Sequence, residues 1–259
     1  MQERHKNRKL YFDEQSYTTS KYVIPYISKF KTIDSNTKVL EIGCGEGGNL
    51  KPFVELGCQC VGIDLNEQQI RNAELYFSKD EHCANTKFIY SDIYDIDPNE
   101  HQYDVVMLRD VIEHIHNQER FMTFVKGFMK PDGVIFFAFP PWFMPFGGHQ
   151  QICVHKISKI PFIHLFTKGF YKWLLKTSGE NDGTIESLLE IKETGITIER
   201  FERIVRREKF TILDKTPYFI NPNYEIKFHL RPRKVWPVFR NIPYLRNFYT
   251  TAGYYLLKK

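Results

Sequence analysis

Residues 39–48, Val-Leu-Glu-Ile-Gly-Cys-Gly-Glu-Gly-Gly, constrain the fold more than any other part of the chain. Val39, Leu40 and Ile42 make an apolar run short enough for a buried strand, glycines stop it, and residues 49–56 follow with helix-like composition. A strand, a tight turn and a helix start leave unpaired backbone N–H groups facing whatever lies above the turn, which suits an electron-rich ligand. Glycine serves there because it takes positive φ and lets another group approach the backbone. Gly43, Gly45 and Gly48 also fit the G-x-G-x-x-G of dinucleotide sites, so the loop alone leaves the nucleotide open, and a purely structural turn is the plain alternative.

The rest of the first half repeats the rhythm. Residues 58–63 alternate toward an apolar end and stop at Asp64, which lies 21 residues beyond Gly43. At that carboxyl end a carboxylate faces the crevice of a doubly wound sheet and can accept both hydroxyls of a ribose. Asp64 or Asn66 could equally start a helix over 67–77. Residues 87–90 are a third strand, followed by Ser91-Asp92-Ile93, with Asp92 either at the adenine edge of a nucleoside or in a turn. The continuous apolar run 103–108 is a buried fourth strand ending at Arg109-Asp110-Val111-Ile112-Glu113-His114. Helical spacing over 119–129 and a Pro-Asp-Gly turn lead to a fifth strand, 134–139. Successive βα units imply an open parallel sheet with right-handed crossovers.

Ahead of the sheet, Tyr22, Val23, Tyr26, Ile27 and Phe30 have helical spacing, and 1–34 reads as a helical arm whose Tyr11 and Tyr17 could close over a ligand. Beyond the fifth strand, Gly147-Gly148-His149 puts a polar group at the crevice mouth. The βα rhythm then breaks into two insertions, about 151–195 and 219–250. Residues 157–176 mix Ile, Phe, Trp and Leu with lysines, as a lid packed on the crevice or an interfacial membrane helix would. Thr197 is a plausible cap for a helix over 198–207, residues 209–213 are a sixth strand, and the apolar 252–257 completes the sheet in preference to the alternating 224–230.

Composition narrows the class. A hydrophobic fraction of 42% suits a globular protein, and the longest apolar run, 134–146, is too short and too broken by proline to span a bilayer. The formal charge of +5 is lopsided: residues 227–259 hold eight Lys or Arg and no acid, so everything before them is net acidic. Such a tail suits a phosphate-bearing partner, a membrane surface or nucleic acid, or is simply a solvated face. Five cysteines without C-x-x-C pairing argue against a disulfide framework or zinc site and for a reducing cytoplasm; no metal ligands are expected.

Together, residues 39–47, Asp64, Ser91-Asp92-Ile93, Asp110-Val-Ile-Glu-His-Ile115 and Lys130-Pro-Asp-Gly133 resemble the class I S-adenosylmethionine-dependent methyltransferases, over about 35–140. Glu41, two residues before the first glycine, separates that family from nicotinamide-binding folds. The resemblance implies a Rossmann-like α/β open sheet of seven strands, helices on both faces, the last strand antiparallel between the fifth and sixth, and a methyltransferase domain over 35–259. It implies S-adenosyl-L-methionine as cofactor, with S-adenosyl-L-homocysteine as product. Gly43, Gly45 and Gly47 would admit the methionine moiety, Asp64 with Leu65 the ribose, Asp92 with Ile93 the adenine, and Arg109 and Val111 would flank the sulfonium. Glu41 would orient the loop or reach the ligand through water, and Tyr17 would cover it. Methyl transfer from a sulfonium is an in-line displacement, so alignment does most of the work. A hydroxyl acceptor also needs a base, for which His149 is the first candidate and His114 the second. The expected acceptor is a small molecule or a glycan- or lipid-linked hydroxyl compound, with peripheral membrane contact through the insertions. An RNA methyltransferase using the basic tail and a non-catalytic nucleoside-binding protein are the alternatives.

Overall fold

The computed structural model describes residues 7–78, 83–99 and 101–259. The sheet has the order β3-β2-β1-β4-β5-β8-β6-β7. Strands β1 (Lys38–Ile42), β2 (Gln59–Asp64), β3 (Thr86–Tyr90), β4 (Tyr103–Arg109) and β5 (Met129–Phe139) are parallel, each beside the neighbour that right-handed crossovers require. The closing strand β8 (Ala252–Lys258) runs antiparallel to both β5 and β6 (Thr211–Ile220) and lies between them, as expected from the family pattern. The seven anticipated strands are joined by an eighth: Arg233–Lys234 of the second insertion pairs with the end of β6 as β7.

Period-two alternation divides the core between the two faces of the sheet. Leu40 and Ile42 point to the face packed by Phe121, Val125 and Phe201, from α5 (Gln118–Val125) and α8 (Ile198–Arg207). Val39, one residue out of phase, packs on the other face with Phe12, Tyr26, Ile27 and Phe53. The N-terminal arm is therefore part of the main core. It comprises α1 (Arg8–Thr18), a π-helical turn (Thr19–Val23) and α2 (Ile24–Ile27). Pro25, which has no N–H to donate, sits at the start of α2, so the regular i→i−4 bond is lost there and Ile24 N–H instead reaches back to Thr19 C=O.

Helix α3 (Lys51–Glu55) follows the glycine loop, and α4 occupies Glu67–Phe77 with Asn66 as its cap, the side chain accepting from Gln69 N–H. Asn66 rather than Asp64 thus caps α4. The first insertion holds α6 (Lys168–Thr177), which begins after two short 3₁₀ turns and not at 157, and α7 (Asp182–Thr194), a helix absent from the sequence reading. The two helices share a small core of their own around Cys153, Tyr171, Leu175, Ile185 and Leu188. Thr197 caps α8 as expected. In the second insertion, Asn223–Phe228 is helix α9, followed by the short helices α10 (Pro237–Arg240) and α11 (Leu245–Phe248). Among the described residues, no helix is long and apolar enough to cross a membrane.

Candidate active site

A cavity of about 380 Å³ opens at the carboxyl ends of β1 and β4, where parallel α/β sheets place their ligands. Its floor is Gly43 and Gly45 of the glycine loop, with Arg109 and Asp110 at the tip of β4. Arg8, Tyr11 and Gln15 of α1 form one wall; His149, Gln151 and Ile152 form another; Asn223 and Lys227 of α9 close it from above.

The loop after β1 turns through positive φ at Gly43 (71°), Gly45 (55°) and Gly47 (78°), whereas Gly48 is not among the positive-φ glycines. The pattern G-x-G-x-G, not G-x-G-x-x-G, is therefore the geometric unit. Gly43 also has no room for a side chain, since a Cβ there would stand 2.5 Å from Val111 Cγ2. Asp64, at the tip of β2, holds the loop: its Oδ2 accepts from Gly45 N–H at 2.8 Å and its Oδ1 from Asn66 N–H at 2.8 Å. Each oxygen keeps a second lone pair for a further donor.

Glu41 shares the face of β1 that carries Val39, so it lies beneath the arm and is fully buried. Asn49 Nδ2 donates to Glu41 Oε1 at 2.6 Å, while Asn49 Oδ1 accepts from Arg109 Nη1 at 2.7 Å and from Thr19 Oγ1 at 3.0 Å. Burial pushes the Glu41 pKa up to about 8, against the pull of Asn49 and Arg109. The carboxyl group is not part of the cavity wall; it anchors a chain of polar groups joining β1, the glycine loop, the tip of β4 and the arm.

Two non-glycine residues that line the cavity adopt the left-handed conformation, Asp110 and His149, both at φ 57°. Such residues persist only where their surroundings over-determine them. For His149 the surroundings are Gly147 and Gly148. A Cβ on Gly147 would strike Trp142 C=O, and one on Gly148 would stand 2.3 Å from the Cβ of His164. His164 is itself buried and held by Trp142 C=O and Gln150. His149 Nε2 then lies 3.9 Å from Glu113 Oε1, and the His149 and His114 rings meet edge to face at 5.0 Å. Burial, with the neighbouring His114 and His164, pushes the His149 pKa down to about 3, so its ring is neutral. Burial and the charge of Asp110 hold the Glu113 pKa well above the usual carboxylate range, and neither Glu113 oxygen has a hydrogen-bond partner among the described residues. Glu113, His114 and His149 each present one ligand atom within 4.8 Å of the others, a set that could also hold a divalent cation, although the sequence suggested no metal ligands.

The remaining expected residues are distributed as follows. Val111 packs on Gly43. Leu65 is exposed; Asp92 is exposed and accepts from Tyr94 N–H at 3.0 Å; Ile93 is buried in the core beside β4. Tyr17 is not part of the cavity wall. Its hydroxyl donates to Glu225 of α9, which also binds Tyr22 and Lys21, so this tyrosine ties the arm to the second insertion. Arg8, Glu46, Asn49, Glu113 and Lys227 gain their places through contacts distant in sequence. Arg8 forms an ion pair with the buried Glu46, closing the arm over the glycine loop.

Residues 15–179, well over half of the chain, match the methyltransferase domain family. The chain belongs to that family. Its curated relatives include the ubiquinone biosynthesis O-methyltransferases of Rhodopseudomonas palustris strain BisB5, 36% identical over 104 residues, and of Rickettsia felis, 29% identical over 113 residues. The first alignment covers 40% of each protein, and the second covers 44% of this chain and 45% of the relative; the chain spans less than half the length of these relatives. The fold matches an S-adenosylmethionine-dependent methyltransferase from Clostridium acetobutylicum, with a TM-score of 0.58 at 14% identity over 93% of this chain and 91% of that one. It also matches the plantazolicin methyltransferase BpumL in complex with a triazolic desmethylPZN analogue and S-adenosylhomocysteine, with a TM-score of 0.58 at 16% identity over 98% and 87% of the two chains. In this methyltransferase-family chain the matched region runs from the arm through the glycine loop and the His149 loop into α6.

Proposed function

We propose that this methyltransferase-family protein transfers the methyl group of S-adenosyl-L-methionine to a hydroxyl of a small-molecule or a glycan- or lipid-linked acceptor. One observation carries the reading: the glycine loop tied down by Asp64 and the imidazole of His149 open onto the same cavity.

The chain fits the cofactor on its own geometry. Gly43 and Gly45 turn through positive φ at the cavity floor, so the backbone can be approached there without a side chain intervening. Asp64 retains lone pairs for ribose hydroxyls, and Arg109, held by Asn49 on one side, offers its remaining donors to a carboxylate. Asp92 and Ile93 are proposed at the adenine end, the exposed one for the amino edge and the buried one as an apolar floor. When bound, S-adenosylmethionine supplies an electrophilic methyl group on a sulfonium. The protein aligns the acceptor with it and takes up the hydroxyl proton. His149 is proposed for that second task on position: its neutral imidazole opens onto the cavity, with Glu113 Oε1 3.9 Å from its Nε2. Lys227 and Asn223 of α9, with Gln151, supply polar groups for the rest of the acceptor. Hydroxyl methylation is favoured by the similarity to O-methyltransferases.

Thermal-shift titration tests the cofactor: stabilisation by S-adenosylmethionine and none by NAD is expected, and the reverse order would overturn the reading. Transfer of label from methyl-labelled cofactor to a panel of phenols and hydroxylated lipids, against RNA as a competing acceptor, tests the substrate class.

A further inference from the structure

The second insertion carries a surface that methyl transfer does not use. Trp236, Phe239 and Tyr249 form a run of rings, with centroids 6.4 and 4.6 Å apart. The next residue back, Phe248, stacks on Phe143 at 5.5 Å and meets Phe162 at 6.1 Å. One aromatic belt thus joins α10 and α11 to the first insertion. Aliphatic side chains stand out beside it: Val238 is 71% exposed, and Ile242 and Leu245 are exposed as well. Within the belt, Phe219, Val235, Trp236, Phe239 and Tyr249 enclose a cavity of about 140 Å³ with almost no polar wall. Trp236, at 70% exposure, is its rim.

The unpaired charge of this segment has one sign, the acids against it, Glu199 and Glu202, being taken up by Arg246 of α11. Arg231, Arg233, Lys234 and Arg240 form no ion pair among the described residues, and no acid occurs in sequence from Lys227 onward. Helix α6 presents a rival stripe, Phe166, Phe170 and Trp173, also exposed. Two of its three cations are answered by α7, however, with Lys168 paired to Glu193 and Lys176 near Asp182, which leaves Lys172. An anionic surface would gain from the second insertion and be repelled by α7. Single-stranded nucleic acid also seeks rings and cations, but it stacks bases on free ring faces and has no use for Val238, Ile242, Leu245 or an apolar cavity.

From this combination we infer that the α10–α11 surface docks on an anionic lipid bilayer, with Trp236 and its neighbours entering the headgroup boundary and Arg231, Arg233, Lys234 and Arg240 meeting lipid phosphates. Aromatic and aliphatic groups at the interface beside basic ones are the composition that binds such membranes from one side. The inference concerns lipid and not acceptor, so it stands or falls apart from the methyl-transfer reading.

Co-sedimentation of the whole protein with phosphatidylcholine vesicles, with and without phosphatidylglycerol, tests it. Retention only on the phosphatidylglycerol vesicles, weakening as salt rises, is expected. Combined Trp236→Ser and Val238→Ser should lower partitioning by about tenfold or more, and Arg231→Gln with Arg240→Gln should remove the preference for anionic lipid. Trp173→Ser should change neither. Unchanged thermal midpoints would show that the variants fold, and the salt titration of the parent protein serves if one does not. Retention on neither vesicle, equal retention on both, loss through Trp173→Ser instead of Trp236→Ser, capture of single-stranded RNA in place of vesicles, or a dimer dissolved by the Trp236 change would each overturn the assignment.

Discussion

Asn49 joins Glu41 to Arg109: its amide N–H₂ donates to the buried carboxyl at 2.6 Å, and its carbonyl accepts from the guanidinium at 2.7 Å. The bridge lets an acid and a base from adjacent strands share one amide without touching each other. Because Glu41 titrates near pH 8 in the folded chain and near its ordinary value of 4.5 when unfolded, the folded state holds the extra proton between those limits. Stability is therefore greatest below about pH 4.5 as far as this group is concerned, falls as pH rises toward 8, and is flat above it, a loss on the order of a few kcal/mol. Glu41→Gln keeps the amide contact and cannot ionise, so its thermal midpoint should overtake that of the parent protein as pH rises through that window. Parallel pH profiles for the two would contradict the assignment.

Asp64 binds the glycine loop and is proposed to bind the ribose, so Asp64→Ala should both loosen the loop and weaken S-adenosylmethionine. Loss of charge-assisted hydrogen bonds of this kind corresponds to roughly tenfold to hundredfold in Kd. Isothermal titration reads it directly, and an unchanged Kd would remove Asp64 from the site. Tyr17→Phe breaks the hydroxyl's links to Glu225 and Lys21 and should leave that Kd alone while making the arm easier to cleave by protease.

His149 should matter to turnover and not to cofactor affinity. Replacing a general base costs about a hundredfold to ten-thousandfold in kcat, so His149→Gln is expected to fall in that range with its cofactor Kd intact. A small effect would relieve His149 of the role. Activity that disappears on chelation and returns with a divalent cation would instead make Glu113, His114 and His149 a ligand set.

Gly43→Ala should destabilise the fold by about 1–3 kcal/mol, because φ is 71° and the new methyl group meets Val111. Adding Val111→Ala should restore the steric part and leave the backbone part, a separation that a double-mutant cycle measures. Full additivity would mean that the two residues do not touch.

Local chemistry made much of this fold legible. The helix over 67–77, the Thr197 cap and the antiparallel closing strand follow from periodicity, short polar caps and the family pattern, all of which act within a few residues. Helix α9 was harder because Tyr224, Ile226 and Phe228 alternate like a strand, yet Tyr224 and Phe228 meet edge to face one helical turn apart at 5.2 Å. Helix α7 was harder because its packing is divided between its own insertion and the distant turn Ile112–His114. In the candidate site, Gly43, Gly45, Asp64 and His149 announce themselves by residue type at strand tips. Arg8, Asn49 and Glu113 do not, since a cation, an amide or an acid acquires its meaning only from partners brought in by the fold.

The place of β8 has a bearing on how the protein is made. β5 and β6 share no hydrogen bond; each is paired to β8, which is translated after both. While synthesis proceeds, β1 to β5 can assemble with the glycine loop already formed, but the edge of β5 stays open until the last strand slides in. A nascent chain could thus bind S-adenosylmethionine before its sheet is complete, and the exposed edge of β5 is where a chaperone, or another unfinished copy, would take hold.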